Sequence, residues 1–154
     1  MRIDDFLAPE MVVPALQGRT KDDVIEELAE VVSKHHPEID HWRLVGALQD
    51  RERLNSTALG EGVAIPHGKL PGVKRVVAAF GRSPQGVDFN SLDGKPTHLF
   101  FLLVAPEDSA GAHLKALARI SRLLREPSSI EKLRASKDRA AIYSVLTESA
   151  AHAA

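Results

Sequence analysis

The sequence predicts an α/β domain, a small mixed β-sheet flanked by helices on both faces, and three observations carry that expectation. Helical periodicity recurs before, between and after the strand-like segments, as layered α/β domains require. The segment Arg75 to Phe80 is rich in valine, which fits a pleated, half-buried surface. The run from His98 to Val104, containing LFFLLV, lacks apolar/polar alternation. That suits a strand buried on both faces, and it is the expected centre of the sheet.

Taken in order, residues 3 to 17 form an apolar stretch broken by Pro9 and Pro14, with Phe6, Leu7, Val12, Val13 and Leu16 available to the core. Thr20 with Asp23 resembles a capping arrangement, and Val24, Ile25, Leu28, Val31 and Val32 follow on one helical face. The first helix is expected over about residues 21 to 35. Asp40 is a plausible N-cap for a second helix, with Trp42, Val45 and Leu48 sharing a face and the pattern stopping before Asn55. That helix would carry Arg51 at its C-terminal end. After Phe80, Ser83-Pro84-Gln85-Gly86 reads as a turn, as does Asp93-Gly94. Leu114, Leu117, Ser121 and Leu124 trace a helix of roughly residues 111 to 125, halted by Pro127. Shorter helices around Ser129 to Arg134 and Asp138 to Leu146 complete the chain, and the alanine-rich tail after Ser149 is expected to fray.

The 154 residues suit one domain with one core, spanning 1–154, without an internal repeat or low-complexity linker. A formal net charge of −1 without a long block of one sign leaves no footprint for nucleic acid or an anionic membrane. No cysteine is present, so disulfides and thiolate metal sites are excluded. No apolar run approaches membrane-spanning length. The start MRIDDFLAPE has acidic residues where a secretory signal needs a basic one, so it reads as mature protein and a cytoplasmic location is expected.

The candidate chemistry is concentrated between Arg51 and Leu70, in RERLNSTALGEGVAIPHGKL. A charged triplet is followed by Ser56, Thr57, Gly60 and Gly62. A short apolar run, Val63-Ala64-Ile65, then leads into Pro66-His67-Gly68. Flanking proline and glycine exclude a regular helix around His67, so a loop after a short strand is expected to deliver it. Histidine serves as nucleophile, general base, metal ligand or buried hydrogen-bonding residue, and the surrounding groups must decide. A phosphoryl acceptor needs one unprotonated ring nitrogen facing the donor and the other N–H held by a carbonyl, for which the loop carbonyls beside Pro66 and Gly68 are candidates. It also needs cationic and N–H donors for the phosphoryl oxygens. Arg51 offers a planar fork, Ser56 and Thr57 offer hydroxyls, and Gly60 and Gly62 permit close backbone approach. The plainer readings are a solvated helix-end cation for Arg51, loop or cap formation for Ser56 and Thr57, and turn geometry for the two glycines. His35, His36, His41, His98 and His152 have no motif around them and receive no role.

This stretch resembles the phosphorylation-site signature of the type-2 enzyme IIA domains of the bacterial phosphotransferase system, the fructose, mannitol and nitrogen-regulatory group. The matching pieces are Arg51-Glu52, Ser56-Thr57, Gly60, Gly62 and above all Ala64-Ile65-Pro66-His67-Gly68-Lys69. The likeness extends through Lys21 to Leu28 and from Asp93-Gly94 to His113-Leu114. Ala58 stands where many members have glycine, which stiffens the loop and removes no chemical group.

The resemblance implies a mixed sheet flanked by helices, and a phosphoryl group accepted on His67 from a phosphohistidine carrier protein, with no cofactor and no metal. It also implies that a second histidine, His113, pairs with the first. By its position His113 falls in the first turn of the predicted helix, where backbone N–H groups favour an anion; its plainer reading is a helix-surface histidine. The free-standing domain and Gly68-Lys69-Leu70 favour the nitrogen-regulatory branch, whose partners would include targets such as a potassium transporter or a sensor kinase. Three alternatives stay open: a sugar-specific fructose- or mannitol-type component, a non-catalytic partner-binding module, and a metal hydrolase using His67, His113 and a carboxylate such as Asp108.

Overall fold

In the computed structural model, which describes residues 1–152 and the side chains through residue 148, a six-stranded mixed sheet is organised around one strand. The strands are β1 (Val12–Val13), β2 (Ala58–Gly60), β3 (Val63–Ala64), β4 (His67–Leu70), β5 (Val77–Val87) and β6 (Thr97–Pro106). The helices are α1 (Lys21–His35), α2 (His41–Leu54), α3 (Ala110–Leu124), α4 (Pro127–Ala135) and α5 (Arg139–His152). Two 3-10 turns, Ile3–Asp5 and Pro9–Met11, order the proline-broken N-terminal stretch.

Leu99 to Ala105 on β6 are fully buried, as their unbroken apolar run predicts for a central strand. One edge of β6 pairs antiparallel with β5. The other edge takes two short strands in succession, both parallel: β3 with Val63 opposite Leu99, then β4 with His67 opposite Leu103. Pro66, which has no N–H, separates them, and its carbonyl accepts from Leu103 N–H at 2.9 Å. β2 extends the sheet beyond β3, and β1 pairs parallel with β5 at the other side. Helices α1 and α2 pack together over β5 and β4, while α3, α4 and α5 form a second group against β6 and β1, completing the α/β layering. Among the described residues no helix is long and apolar enough to cross a membrane.

The first helix has the predicted bounds, and its N-cap is built as expected, with Thr20 Oγ1 accepting from Asp23 N–H at 3.1 Å. Asp40 caps α2 in the same way, accepting from Arg43 N–H at 2.9 Å. Four local readings need correction. Trp42 does not share the buried face of α2: it is 67% exposed, while Leu44, Val45, Leu48 and Glu52 are buried. At 3.6 residues per turn Trp42 lies roughly 100° round the helix from the centre of that stripe. The buried face of α3 runs through His113, Ala116, Ile120, Leu123 and Leu124, leaving Leu114 66% exposed. A polar residue starts the true stripe, so a purely apolar template reads it one position late.

The expected turn at Ser83 to Gly86 is instead part of β5, whose pairing shifts register between Arg82 and Val87. That irregularity tolerates Pro84, and Gly86 takes φ of 84°. Finally, His67 is the first residue of a strand rather than a loop residue, because beyond Pro66 the chain pairs again with β6. Pro127 opens α4 as its first residue after α3 has ended at Leu124. Helix α5 continues past Ser149 to His152, and the end of the tail expected to fray lies outside the described residues.

Candidate functional site

His67 sits where β4 begins, half-buried between α2 and α3. Its Nδ1 lies 2.7 Å from the carbonyl oxygen of Ile65. A carbonyl only accepts, so the proton of the neutral ring is on Nδ1 and the lone pair is on Nε2. Of the loop carbonyls beside Pro66 and Gly68, it is therefore the one before the proline that fixes the tautomer. Burial pushes the His67 pKa below the ordinary histidine value, the Ile65 hydrogen bond and the Glu52 carboxylate oppose that, and the Arg51 guanidinium reinforces it. At Gly68 this strand lies close against α2: a Cβ there would make ordinary van der Waals contact with the Ala47 side chain and backbone at 3.5–3.6 Å.

His113 approaches from the first turn of α3, edge-on to His67, with ring centroids 5.5 Å apart and planes at 72°. It is buried, and its Nε2 has no hydrogen-bond partner. Burial first, then the nearby His67 and Lys69, push its pKa down to about 4, so the ring is neutral at pH 7. An unpartnered polar nitrogen costs free energy when buried, and it is relieved when a ligand supplies the missing partner.

Arg51 stands in the last turn of α2, half-buried, with one guanidinium nitrogen donating to the carbonyl and side-chain oxygens of Asn55 at 3.0 and 2.9 Å. That contact holds the guanidinium within electrostatic reach of the His67 ring. The structure thus brings His67, His113 and Arg51 together from three elements.

The other sequence-predicted residues are engaged elsewhere. Ser56 Oγ donates to Phe89 O at 2.7 Å and accepts from Ala58 N–H at 3.0 Å. The Thr57 hydroxyl donates to Glu52, and Thr57 N–H lies 3.2 Å from both carboxylate oxygens. Both residues tie down the loop after α2. Gly60 and Gly62 flank Glu61 in the β2–β3 turn, with φ of 86°, 58° and 81° in sequence order. Gly62 carbonyl accepts from the His98 and Leu99 N–H groups. The four-residue step along β6 from Leu99 to Leu103 separates that turn from His67 by roughly 13 Å. The turn is held by Asp93, whose carboxylate accepts from Ser91 Oγ, Lys95 N–H and Glu61 N–H. Those bonds lower its pKa to about 2.

Sequence reading gave no role to Glu52, although the signal was present: it continues the buried stripe of Leu44, Val45 and Leu48, where a carboxylate is out of place unless paired. Its partners are Thr57 and the Lys21 ammonium at 2.9 Å. Among the described residues no three His, Cys, Asp or Glu side chains converge on a metal position, so the hydrolase reading with Asp108 has no ligand set behind it.

On this mixed α/β sheet the site is thus a neutral imidazole of fixed tautomer, a second neutral imidazole and a guanidinium within electrostatic reach. Residues 5–149 match the family of the phosphoenolpyruvate-dependent sugar phosphotransferase system, EIIA 2, and the chain belongs to that family. Members of the family are phosphotransferase components. The chain is 47% identical over 146 residues to a nitrogen regulatory protein of Bradyrhizobium diazoefficiens, covering 95% of each chain. It is 36% identical over 148 residues to the fructose-specific EIIABC component of Bacillus subtilis, covering 96% of this chain and 23% of that protein. Its fold superimposes on the crystal structure of nitrogen regulatory protein IIA-Ntr from Neisseria meningitidis with a TM-score of 0.89 at 33% identity, covering 94% of this chain and 99% of that one.

Proposed function

We propose that this chain is a phosphoryl carrier of the nitrogen-regulatory type that accepts a phosphoryl group on His67 Nε2 from a phosphohistidine carrier protein. The observation that carries the reading is the Ile65 carbonyl on His67 Nδ1, which leaves Nε2 as the nucleophile. In the transfer the Nε2–P bond forms as the P–N bond to the donor histidine breaks, the donor ring leaves with the electron pair, and the Nδ1 proton stays on His67. Arg51 neutralises charge on the equatorial oxygens, a role its electrostatic reach of His67 supports, and His113 meets one of them with its unpartnered nitrogen. The full-length likeness to nitrogen regulatory proteins supports a regulatory role, in which the charge added at this site changes which partner binds. Potassium transporters and sensor kinases are the target classes to test. The match of 96% of this chain to 23% of a fructose-specific EIIABC component keeps one second reading, relay of the group to a sugar-specific enzyme IIB.

The test is incubation with a radiolabelled phosphocarrier. The expected result is acid-labile, base-stable label on the wild-type chain and none on a folded His67→Ala chain; full labelling of the variant would move the acceptor elsewhere. Rapid loss of label to an enzyme IIB would favour relay over retention.

A further inference from the structure

The transfer chemistry makes no use of Glu52, yet among the described residues it is the only buried carboxylate, 7% exposed. Its surroundings form a continuous path to the acceptor. One carboxylate oxygen takes the Thr57 hydroxyl, both lie 3.2 Å from Thr57 N–H, and the other takes the Lys21 ammonium at 2.9 Å. Thr57 carbonyl accepts from Ile65 N–H at 3.1 Å, and Ile65 carbonyl accepts from His67 Nδ1–H at 2.7 Å. Residue by residue, the carboxylate of α2 fixes Thr57, Thr57 fixes Ile65, and Ile65 fixes the ring.

Given the reading of His67 as acceptor, we propose that Glu52 is its positioning residue: it anchors the carbonyl that sets the His67 tautomer, and its negative charge favours the cationic ring that forms on transfer. When Nε2 bonds phosphorus, the imidazole keeps its Nδ1 proton and gains a positive charge. A buried carboxylate acts on that charge through a medium less polar than water. The other charged or titratable groups that act on the ring or on the imidazole beside it are Arg51 from α2, His113 itself from α3 and, acting on His113, Lys69 of β4, none of them anionic. Lys21 is the counterweight. From the first residue of α1 it pairs with Glu52 and lies over the Phe89 ring, 4.8 Å from its centroid, so it tempers the carboxylate and holds it in place.

The plainer alternative is that Glu52 only ties down the loop at Thr57, and opposite-sign variants separate the two. The measurement is ring-nitrogen NMR of His67 against pH on the unphosphorylated full chain, beside the rate of labelling by the phosphocarrier. Glu52→Gln removes the charge and one acceptor; the His67 midpoint should fall and the Nε2–H tautomer should appear. Lys21→Met leaves the carboxylate uncompensated, so the midpoint should rise. Labelling of Glu52→Gln should slow by on the order of tenfold to a hundredfold, the range expected when a reacting group loses its alignment. Midpoints that both stay put, or both move the same way, with the Nδ1–H tautomer intact in Glu52→Gln, would overturn the proposal. Should Glu52→Gln fail to fold, the direction of the Lys21→Met shift decides alone. A wild-type chain that takes no label would sink the acceptor reading while the titration still decides what Glu52 does to the ring.

Discussion

The ring of His113 stands edge-on to that of His67, 5.5 Å between centroids, and keeps one nitrogen buried without a partner. In the proposed reading the two neutral imidazoles divide the work: the one whose Nδ1 is bonded to a carbonyl presents a lone pair, and the other offers its unpartnered nitrogen to a phosphoryl oxygen.

His113→Ala is therefore expected to remain a phosphoryl acceptor, with slower labelling and a shorter-lived phosphohistidine, because α3 still presents the unpaired N–H groups of its first turn. His113→Gln keeps a neutral amide of similar reach and should recover part of the loss if the ring acts as a donor. Labelling rate and decay of the phosphorylated form, measured for both variants, decide the point; wild-type values in both would return His113 to the packing of α3.

Arg51 is expected to contribute about 10²–10³ in transfer rate, the usual effect of one electrostatic donor at a transition-state oxygen. Arg51→Lys keeps charge without the planar fork and without the doubled contact to Asn55, so it should rescue Arg51→Ala only partly. Identical single-turnover rates for the three chains would leave Arg51 as a helix-end cation.

Transfer requires His67 in its neutral form, and burial holds its pKa below the ordinary value near 6.5. The labelling rate should accordingly be level through pH 7 and decline only below about pH 6.5, where protonation of an ordinary histidine begins to matter. A pH profile already falling above that point contradicts the assigned environment.

His113 also links acidity to stability. Its folded pKa, about 4, lies below the 6.5 of an unperturbed histidine, so between these values the unfolded chain binds more protons than the folded one. This contribution is complete above pH 6.5 and is lost as pH falls toward 4, at no more than about 1.4 kcal/mol per pH unit. Denaturant titrations of wild type and His113→Ala at pH 7 and pH 5 should show a smaller acid loss in the variant. Equal losses would mean that His113 titrates normally in the fold.

What could be read before folding differs from element to element for physical reasons. The helix caps at Thr20 and Asp40, the central strand from Leu99 and the chemistry-bearing run ending at His67 are local patterns, and they lie where the chain order suggests. Trp42 and Leu114 are exposed against expectation because an apolar side chain at helical spacing does not reveal which face another layer will cover. The strand beyond Phe80 was cut short because Pro84 and Gly86 carry turn chemistry that a register shift also accommodates. At the site, His67 and Arg51 were legible from one stretch, whereas the pairing with His113 needed the family resemblance. The use of the Ser56 and Thr57 hydroxyls on Phe89 and Glu52 depends on contacts that only the folded chain makes.

His67 and His113 belong to β4 and α3, and between them the chain must first lay down β5 and β6. β4 has nothing to pair with until β6 is in place, and α3 follows β6 directly. Closing such long-range contacts is the slow part of forming a sheet of this kind. During synthesis the His67 stretch leaves the ribosome well before His113, in a chain whose central strand does not yet exist. In the proposed reading, competence for phosphoryl transfer therefore arrives late, and a phosphorylation assay doubles as a reporter of completed topology.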